Sequence, residues 1–169
     1  NDPTFLAYED FKGNFGHDGM MVVIATNEAD FYSERKFNAW LQMGDSLKNL
    51  KVKVVEDDQI KMENVVDSIF SEGHLYNIIK NKEEFKFSLE EIIQHYPLNS
   101  KEIDSIENVI KNLKFYEDIV YRDSSNLHLM MLFLNKDIFN SNNRGNLIDD
   151  IYDLAMSYDQ YFSNLRFSG

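Results

Sequence analysis

The sequence has no cysteine and only two prolines and seven glycines among its 169 residues. The absence of cysteine excludes disulfides, thiolate catalysis and cysteine-ligated zinc, and it leaves the redox compartment open. The longest uninterrupted apolar runs, residues 20–25 and 129–134, are six residues each. A bilayer span needs about 20 apolar residues, so no segment of this sequence is expected to cross a membrane by itself.

Basic residues are also scarce. Lys and Arg number 17 against 29 Asp and Glu, for a net charge of −12, and no stretch of the sequence collects them into a basic patch. Nucleic acids and anionic membranes are bound mainly through cations, so this composition argues against both kinds of partner. The 43% hydrophobic and 14% aromatic content excludes intrinsic disorder and predicts a globular unit.

Residues for catalysis or metal binding do not occur in recognisable patterns. The histidines are scattered and lack the spacing that places two metal ligands on one element; they are His17, His74, His95 and His128. The acidic stretches 56–58 and 149–153 are expected to be solvated surface, and "GHDG" at 16–19 is a turn that lacks the lysine of a phosphate loop. We therefore predict no catalytic residues, no metal and no cofactor, and hence a protein that is not an enzyme.

The first 16 residues predict a helix. Asp2 is suited to cap it, Pro3 to occupy its first turn, and Gly16 to end it. An aromatic stripe recurs at helical spacing, formed by Phe5, Tyr8, Phe11 and Phe15. Core packing of this helix is the simpler interpretation, and a wall of a hydrophobic substrate path is the functional one. Neither a starting Met nor a signal segment is present, so Asn1 is expected to be an internal position of a longer or processed protein.

A strand and a helix follow. The β-branched run at 20–26 is typical of a strand buried on both faces. Ser33 is suited to cap a helix with one apolar face, formed by Phe37, Trp40, Leu41, Gly44 and Leu47. Two extended segments come next, 52–55 and 65–71, and the second is favoured as the next strand of the sheet. The register of residues 51–72 stays open.

The later part of the chain repeats the earlier part at an offset of 108 residues. Asn27, Phe31 and Ser33 align with Asn135, Phe139 and Ser141. Both copies read apolar strand, Asn-containing turn, cap and amphipathic helix. The second helix has an apolar face formed by Leu147, Ile148, Ile151, Ala155 and Tyr158. The closing residues 164–169 alternate, with Leu165 and Phe167 on one side, which predicts an edge or half-exposed strand.

Two repeated β-α-β units predict an α+β fold, a ferredoxin-like βαββαβ sandwich with a helical insertion between its halves. The expected divisions are 1–72 for the N-terminal helix and first half, 73–122 for a mainly helical insertion, and 123–169 for the second half, in one compact unit. Within the insertion, Asn99 and Glu102 predict a capping box for a helix over 100–113. A weaker helical turn is expected after Ser88.

Four phrases of the sequence resemble a known family: "NDPTFLAYEDFKGNFG", "MMVVIATNEADFYSERKFNAWLQMGDSLKNL", "VVDSIFSEGHLYNI" and the closing "RFSG". In order and spacing they are similar to the first extracytoplasmic loop of bacterial exporters of the resistance/nodulation/division (RND) superfamily, in the MMPL-like, hydrophobe-exporting branch. The segment "DDQIKMENVV" departs from that family by being longer and more polar.

The resemblance implies a periplasmic porter domain of a proton-driven transporter at the bacterial inner membrane, with lipids or other amphiphilic compounds as cargo. It implies as partners the transmembrane helices and the second periplasmic loop of the same protein, and it allows a homo-oligomeric transporter. The proton-relay carboxylates of the family lie in membrane helices outside this sequence. From the residues alone two alternatives stay open: a free-standing ferredoxin-like module that binds a ligand or regulates, and a hydrolase.

Overall fold

The computed structural model describes residues 20–81, 86–139 and 144–169. Within these ranges the chain has a mixed α+β fold with antiparallel sheets and four α-helices. The strands are β1 Met21–Asn27, β2 Lys51–Glu56, β3 Gln59–Asn64, β4 Val66–Phe70, β5 Tyr76–Asn81, β6 Lys86–Glu91, β7 Tyr121–Arg122, β8 Leu127–Leu134 and β9 Arg166–Ser168. The helices are α1 Glu34–Lys48, α2 Ser100–Asn112, α3 Lys136–Phe139 and α4 Arg144–Met156. The predicted N-terminal helix and the 16–19 turn lie outside the described residues.

The main sheet has the strand order β4-β8-β1-β9, and each neighbouring pair is antiparallel. The register places Ile24 opposite Met130 in the central pair and Ala25 opposite Arg166 at the edge. The short strand β7 pairs with the first residues of β8. The favoured strand within 65–71 is confirmed as β4, and the predicted edge strand at the end of the sequence is confirmed as β9.

One face of this sheet carries the main core, because side chains alternate across the strands. Ile24, Met130 and Leu132 are fully buried on the face that is covered by α1 and α4. Residues of the opposite face of β1 are half-buried or exposed, so the expectation that 20–26 is buried on both faces holds for one face only. A smaller second cluster forms around the end of α2, from Phe70, Leu75, Ile110, Val120 and Tyr121.

Helix α1 forms as its sequence predicts. The Ser33 side chain accepts a hydrogen bond from the Lys36 N–H at the helix start, and the predicted apolar face is buried. The second helix of the repeat, α4, buries Leu147, Ile151 and Ala155 but leaves Ile148 37% exposed. The repeat extends to the turns, since Phe31 and Phe139 are both buried. The predicted cap Ser141 lies outside the described residues.

Both extended candidates between α1 and residue 72 are strands, but they belong to different sheets. The first candidate lies in β2, which pairs with β3 as a hairpin with Val55 opposite Ile60. Asp57 and Asp58 form its turn with φ of 49° and 61°, the left-handed conformations that a two-residue hairpin turn requires. The departure from the resembled family at "DDQIKMENVV" therefore spans the turn and second strand of a hairpin.

The segment 73–122 is not mainly helical. It contains the hairpin β5–β6, helix α2 and the short β7. The helical turn expected after Ser88 is wrong: Ser88 lies in β6 opposite Ile79, because pairing with β5 satisfies the backbone more fully than a single isolated turn would. The capping box of α2 is confirmed, since the Asn99 side chain accepts from the Glu102 N–H at 3.0 Å and the Glu102 carboxylate accepts from the Asn99 N–H at 2.8 Å.

A buried carboxylate ties the loop after β1 to the segment before β9. Glu28 is 3% exposed; it pairs with Lys36 and accepts hydrogen bonds from the Ser163 backbone N–H and, at 3.1 Å each, from the hydroxyls of Ser163 and Thr26. Burial raises the pKa of the Glu28 carboxyl, but the hydrogen bonds from Lys36 and Ser163 outweigh burial and hold that pKa below its ordinary value.

Candidate functional site

The aromatic stripe that the sequence singles out as a substrate wall cannot be placed in this fold. Phe5, Tyr8, Phe11 and Phe15 lie outside the described residues, as does His17. Of the remaining histidines, each one contacts a different partner: His74 lies 2.9 Å from Ser71 Oγ, His95 lies 3.2 Å from a Glu102 oxygen, and His128 lies 2.6 Å from a Glu72 oxygen. Over the described ranges no three His, Asp or Glu side chains are grouped to hold a metal ion.

A single 3₁₀ turn, Glu72–His74, places two ionisable side chains in different surroundings directly after β4. Ser71 begins the turn, with its hydroxyl accepting from the Gly73 N–H at 3.2 Å. Gly73 packs closely on α1: an added Cβ would lie 2.5 Å from Leu41 Cδ2, so Leu41 would have to move. The turn points Glu72 into the core and places His74 in the wall of a cavity.

Glu72 is completely buried. One carboxyl oxygen, Oε1, lies 2.6 Å from His128 Nδ1 and accepts the Tyr32 hydroxyl at 3.4 Å. The other oxygen, Oε2, has no hydrogen-bond partner in the described part of the chain. Burial raises the pKa of Glu72, and the contacts with His128 and Tyr32 oppose that rise. The 2.6 Å separation makes this a direct, buried hydrogen bond between the carboxyl and the imidazole.

Aromatic rings enclose this pair. The His128 ring stacks on Phe31 at a centroid distance of 3.6 Å and an angle of 7°. Burial and the Glu72 charge raise the pKa of Tyr32. Burial, together with the charges of Glu117, Asp123 and Glu72, raises the pKa of Tyr121 to about 12. The phenols therefore stay protonated at neutral pH, and the Glu72–His128 pair is a buried polar contact between β8 and the turn after β4.

A polar cavity opens at the β4 edge of the main sheet, between α1, the Glu72–His74 turn and the loop after β6. Its volume is about 510 Å³. Burial and then the Lys48 charge lower the pKa of His74 to about 4, with Asp45 opposing, so the imidazole is neutral at physiological pH. The Tyr96 hydroxyl donates to Asp45 Oδ2 at 2.9 Å across the mouth.

An apolar groove of about 470 Å³ lies at the opposite edge, between the ends of β1 and β9 and helix α4. Exposed apolar side chains line it: Met21 is 41% exposed, Ile148 37% and Tyr152 47%. The Tyr152 and Phe167 rings meet at 4.8 Å. The other lining residues are Met20, Val22, Leu134, Ile151, Ser168 and Gly169. The groove has the chemistry to hold an alkyl or aromatic group.

Sequence patterns did not indicate either opening or the buried pair. Glu72 and His128 are 56 positions apart, and only the fold brings them together. The sequence did carry a weak signal for Glu72. This carboxylate comes just after an apolar strand, where a buried side chain is normally apolar. No comparable signal marks His74 or Ile148.

Comparison with known proteins adds no relative: no protein-family profile, no curated protein and no solved structure matches the chain. In the described ranges, no helix combines the length and the apolar character that crossing a membrane takes.

Proposed function

We propose that the chain is a periplasmic porter domain of an RND-family exporter that moves lipids or other hydrophobic compounds, and that it acts by binding and conformational change without catalysis. The observation that carries the proposal is the interleaved strand order β4-β8-β1-β9. The unit β1-α1-β4 contributes one edge and one central strand, and the unit β8-α4-β9 contributes the other two. This arrangement supports the ferredoxin-like sandwich that the resembled family implies.

The apolar groove supports a hydrophobic cargo. A volume of about 470 Å³ is within the range of small-molecule sites. Covering exposed apolar side chains with a cargo would stabilise the complex by about 25 cal/mol per Å² of buried apolar surface. Ile148 and Tyr152 stand at the rim on α4, where a cargo would displace water from both.

In this proposal the partners are the membrane helices and the second periplasmic loop of the same protein, at the periplasmic face of the inner membrane, and the full-length transporter is free to assemble as a homo-oligomer.

The proposal is tested with a lipophilic fluorescent probe, N-phenyl-1-naphthylamine. Ile148→Glu places a charge in the groove wall, whereas Ile60→Glu places it on the β2–β3 hairpin at a side chain that is 70% exposed. We expect the chain to bind the probe and Ile148→Glu to weaken binding at least tenfold, with Ile60→Glu unchanged. Absence of binding, or equal effects of the two variants, would refute the groove as a cargo site.

The exporter assignment needs a second measurement in the full-length protein. We expect its coding sequence to place about 20 mostly apolar residues close to each side of this chain. Cells that produce the full-length protein should retain less probe than cells without it, and Ile148→Glu at equal abundance should reduce that export while Ile60→Glu should not. A full-length protein without such flanking segments would contradict the assignment even if the probe binds.

A further inference from the structure

We propose that the polar cavity at the β4 edge is a second binding site, and that its ligand is a small zwitterion of the amino acid type with an aliphatic side chain. The cavity volume of about 510 Å³ suits a small molecule. Its lining combines charges of both signs at the mouth with apolar side chains below them. The charged and titratable lining residues are Asp45, Lys48, His74, Tyr76, Glu91, His95 and Tyr96.

The two charges on α1 are available to a ligand. Asp45 and Lys48 are one helical turn apart, both are exposed, and both line the cavity. No ion pair involves either one within the described ranges. Asp45 is instead fixed by neutral donors, the Tyr96 hydroxyl at 2.9 Å and the Asn49 side-chain amide at 3.4 Å. A fixed carboxylate without a cation is suited to receive an ammonium group, and the free Lys48 ammonium is suited to receive a carboxylate.

His74 adds a neutral hydrogen-bonding group to the wall. Its Nδ1 is held by Ser71 Oγ at 2.9 Å, which fixes the ring. Because the imidazole is uncharged at physiological pH, it offers a hydrogen bond without favouring a ligand of either sign.

The mixture of charges decides between ligand classes. A simple anion would meet Asp45 and Glu91 as well as Lys48, and a simple cation would meet Lys48, so each would experience repulsion. A molecule that carries both charges matches both groups. The apolar lining, formed by Leu41, Ile69, Leu75 and Ile93, is then left for an aliphatic side chain.

This inference does not rest on the export function. The cavity and the apolar groove lie at opposite edges of the sheet and share no lining residue, and a free-standing ligand-binding module would use the cavity equally well. Failure of one site in its assay therefore leaves the other site untouched.

The test uses three probes of one size: leucine, 4-methylpentanoate, which lacks the amine, and 3-methylbutylamine, which lacks the carboxylate. Calorimetry on the chain should show leucine binding, with each single-charge analogue at least tenfold weaker. Lys48→Met should weaken leucine and 4-methylpentanoate but not 3-methylbutylamine. The matched control is Lys51→Met, because Lys51 is an exposed lysine on β2 outside the cavity.

Three results would overturn the proposal. They are no heat of leucine binding at millimolar concentration, equal binding of the three probes, and equal effects of the Lys48 and Lys51 variants. Both lysines are exposed, so both variants should keep the wild-type circular dichroism and melting temperature. A Lys48 variant that fails to fold is replaced by Asp45→Asn, which should weaken leucine and 3-methylbutylamine while sparing 4-methylpentanoate.

Discussion

Gly44 and Gly145 make possible a paired test of how tightly His74 is packed. Both glycines lie in helices, Gly44 in α1 and Gly145 in the first turn of α4. A Cβ added at Gly44 would lie 2.8 Å from His74 Cε1 and 3.2 Å from Met130 Cε, whereas a Cβ added at Gly145 would meet no atom within 4 Å. The same substitution to alanine therefore has opposite consequences at the two positions.

The magnitudes follow from two opposing effects. Gly→Ala in a helix stabilises by roughly 0.5–1 kcal/mol because the unfolded chain loses conformational freedom. Overpacking a filled site costs about 1–3 kcal/mol. At Gly44 the His74 ring has to move, and its contact with Ser71 Oγ at 2.9 Å resists that movement. We expect Gly44→Ala to be less stable than Gly145→Ala by about 1–3 kcal/mol, because the helix effect cancels in the comparison.

Urea denaturation of the wild type and both variants measures this difference, and thermal melting gives an independent value at roughly 2–4 °C per kcal/mol for a chain of this size. Gly145→Ala should melt above the wild type and Gly44→Ala below Gly145→Ala. The His74 ring signal in NMR should shift in the Gly44 variant only. If Gly44→Ala were as stable as Gly145→Ala, the conclusion that the His74 ring fills the space beside α1 would be wrong.

Three further predictions concern ionisable and capping groups. Because the folded state raises the pKa of Glu72, the contribution of this group to stability should fall as pH rises through and above the ordinary glutamate range. Glu72→Gln should therefore gain on the wild type as pH rises through that range in urea denaturation, with a slope of at most about 1.4 kcal/mol per pH unit; equal pH profiles would contradict this. Lys36→Met leaves the buried Glu28 carboxylate without its cation and should lower the free energy of unfolding by about 3 kcal/mol. Lys36→Arg keeps the charge and should lower it much less; similar losses in the two variants would refute the role of charge. Asn99→Ala removes the side-chain acceptor at the start of α2 and should lower the free energy of unfolding by about 1 kcal/mol. Amide hydrogen exchange should become faster only in the first turn of that helix; unchanged exchange there would count against the cap.

Elements whose causes are local were predictable from the sequence. The cap and apolar periodicity of α1, the capping box of α2 and the apolar run of β8 each lie within about 15 consecutive residues, so composition and spacing carry the information. The extended segment 52–55 was predicted and lies in β2, but its pairing with β3 and the hairpin β5–β6 were not predicted. Every residue of β3 is exposed, and so are residues 88–91 of β6. A strand of that kind owes its structure to the partner strand and not to its own hydrophobic pattern.

The candidate sites were less predictable, because contacts between distant residues create them. The polar cavity is formed by α1 together with residues 93–96. The apolar groove is formed by β1 from the first half of the repeat and by β8, α4 and β9 from the second half. From the sequence alone, Gly44 lowers the helix propensity of α1. The structure shows why a glycine fits there, because the His74 ring occupies the space beside it.

The interleaved strand order also has a consequence for the route of folding. The central pair joins Met21 to Phe133 and Asn27 to Leu127, so the sheet has no centre until the chain has been made beyond residue 134. The hairpins close locally and early, whereas loop closure over about 100 residues slows the central pairing. Until β8 arrives, β1 lacks its central partner strand, and the apolar face of α1 lacks the part of the sheet that β8 supplies. Between synthesis of α1 and synthesis of β8, the apolar side chains of these elements are therefore available for aggregation.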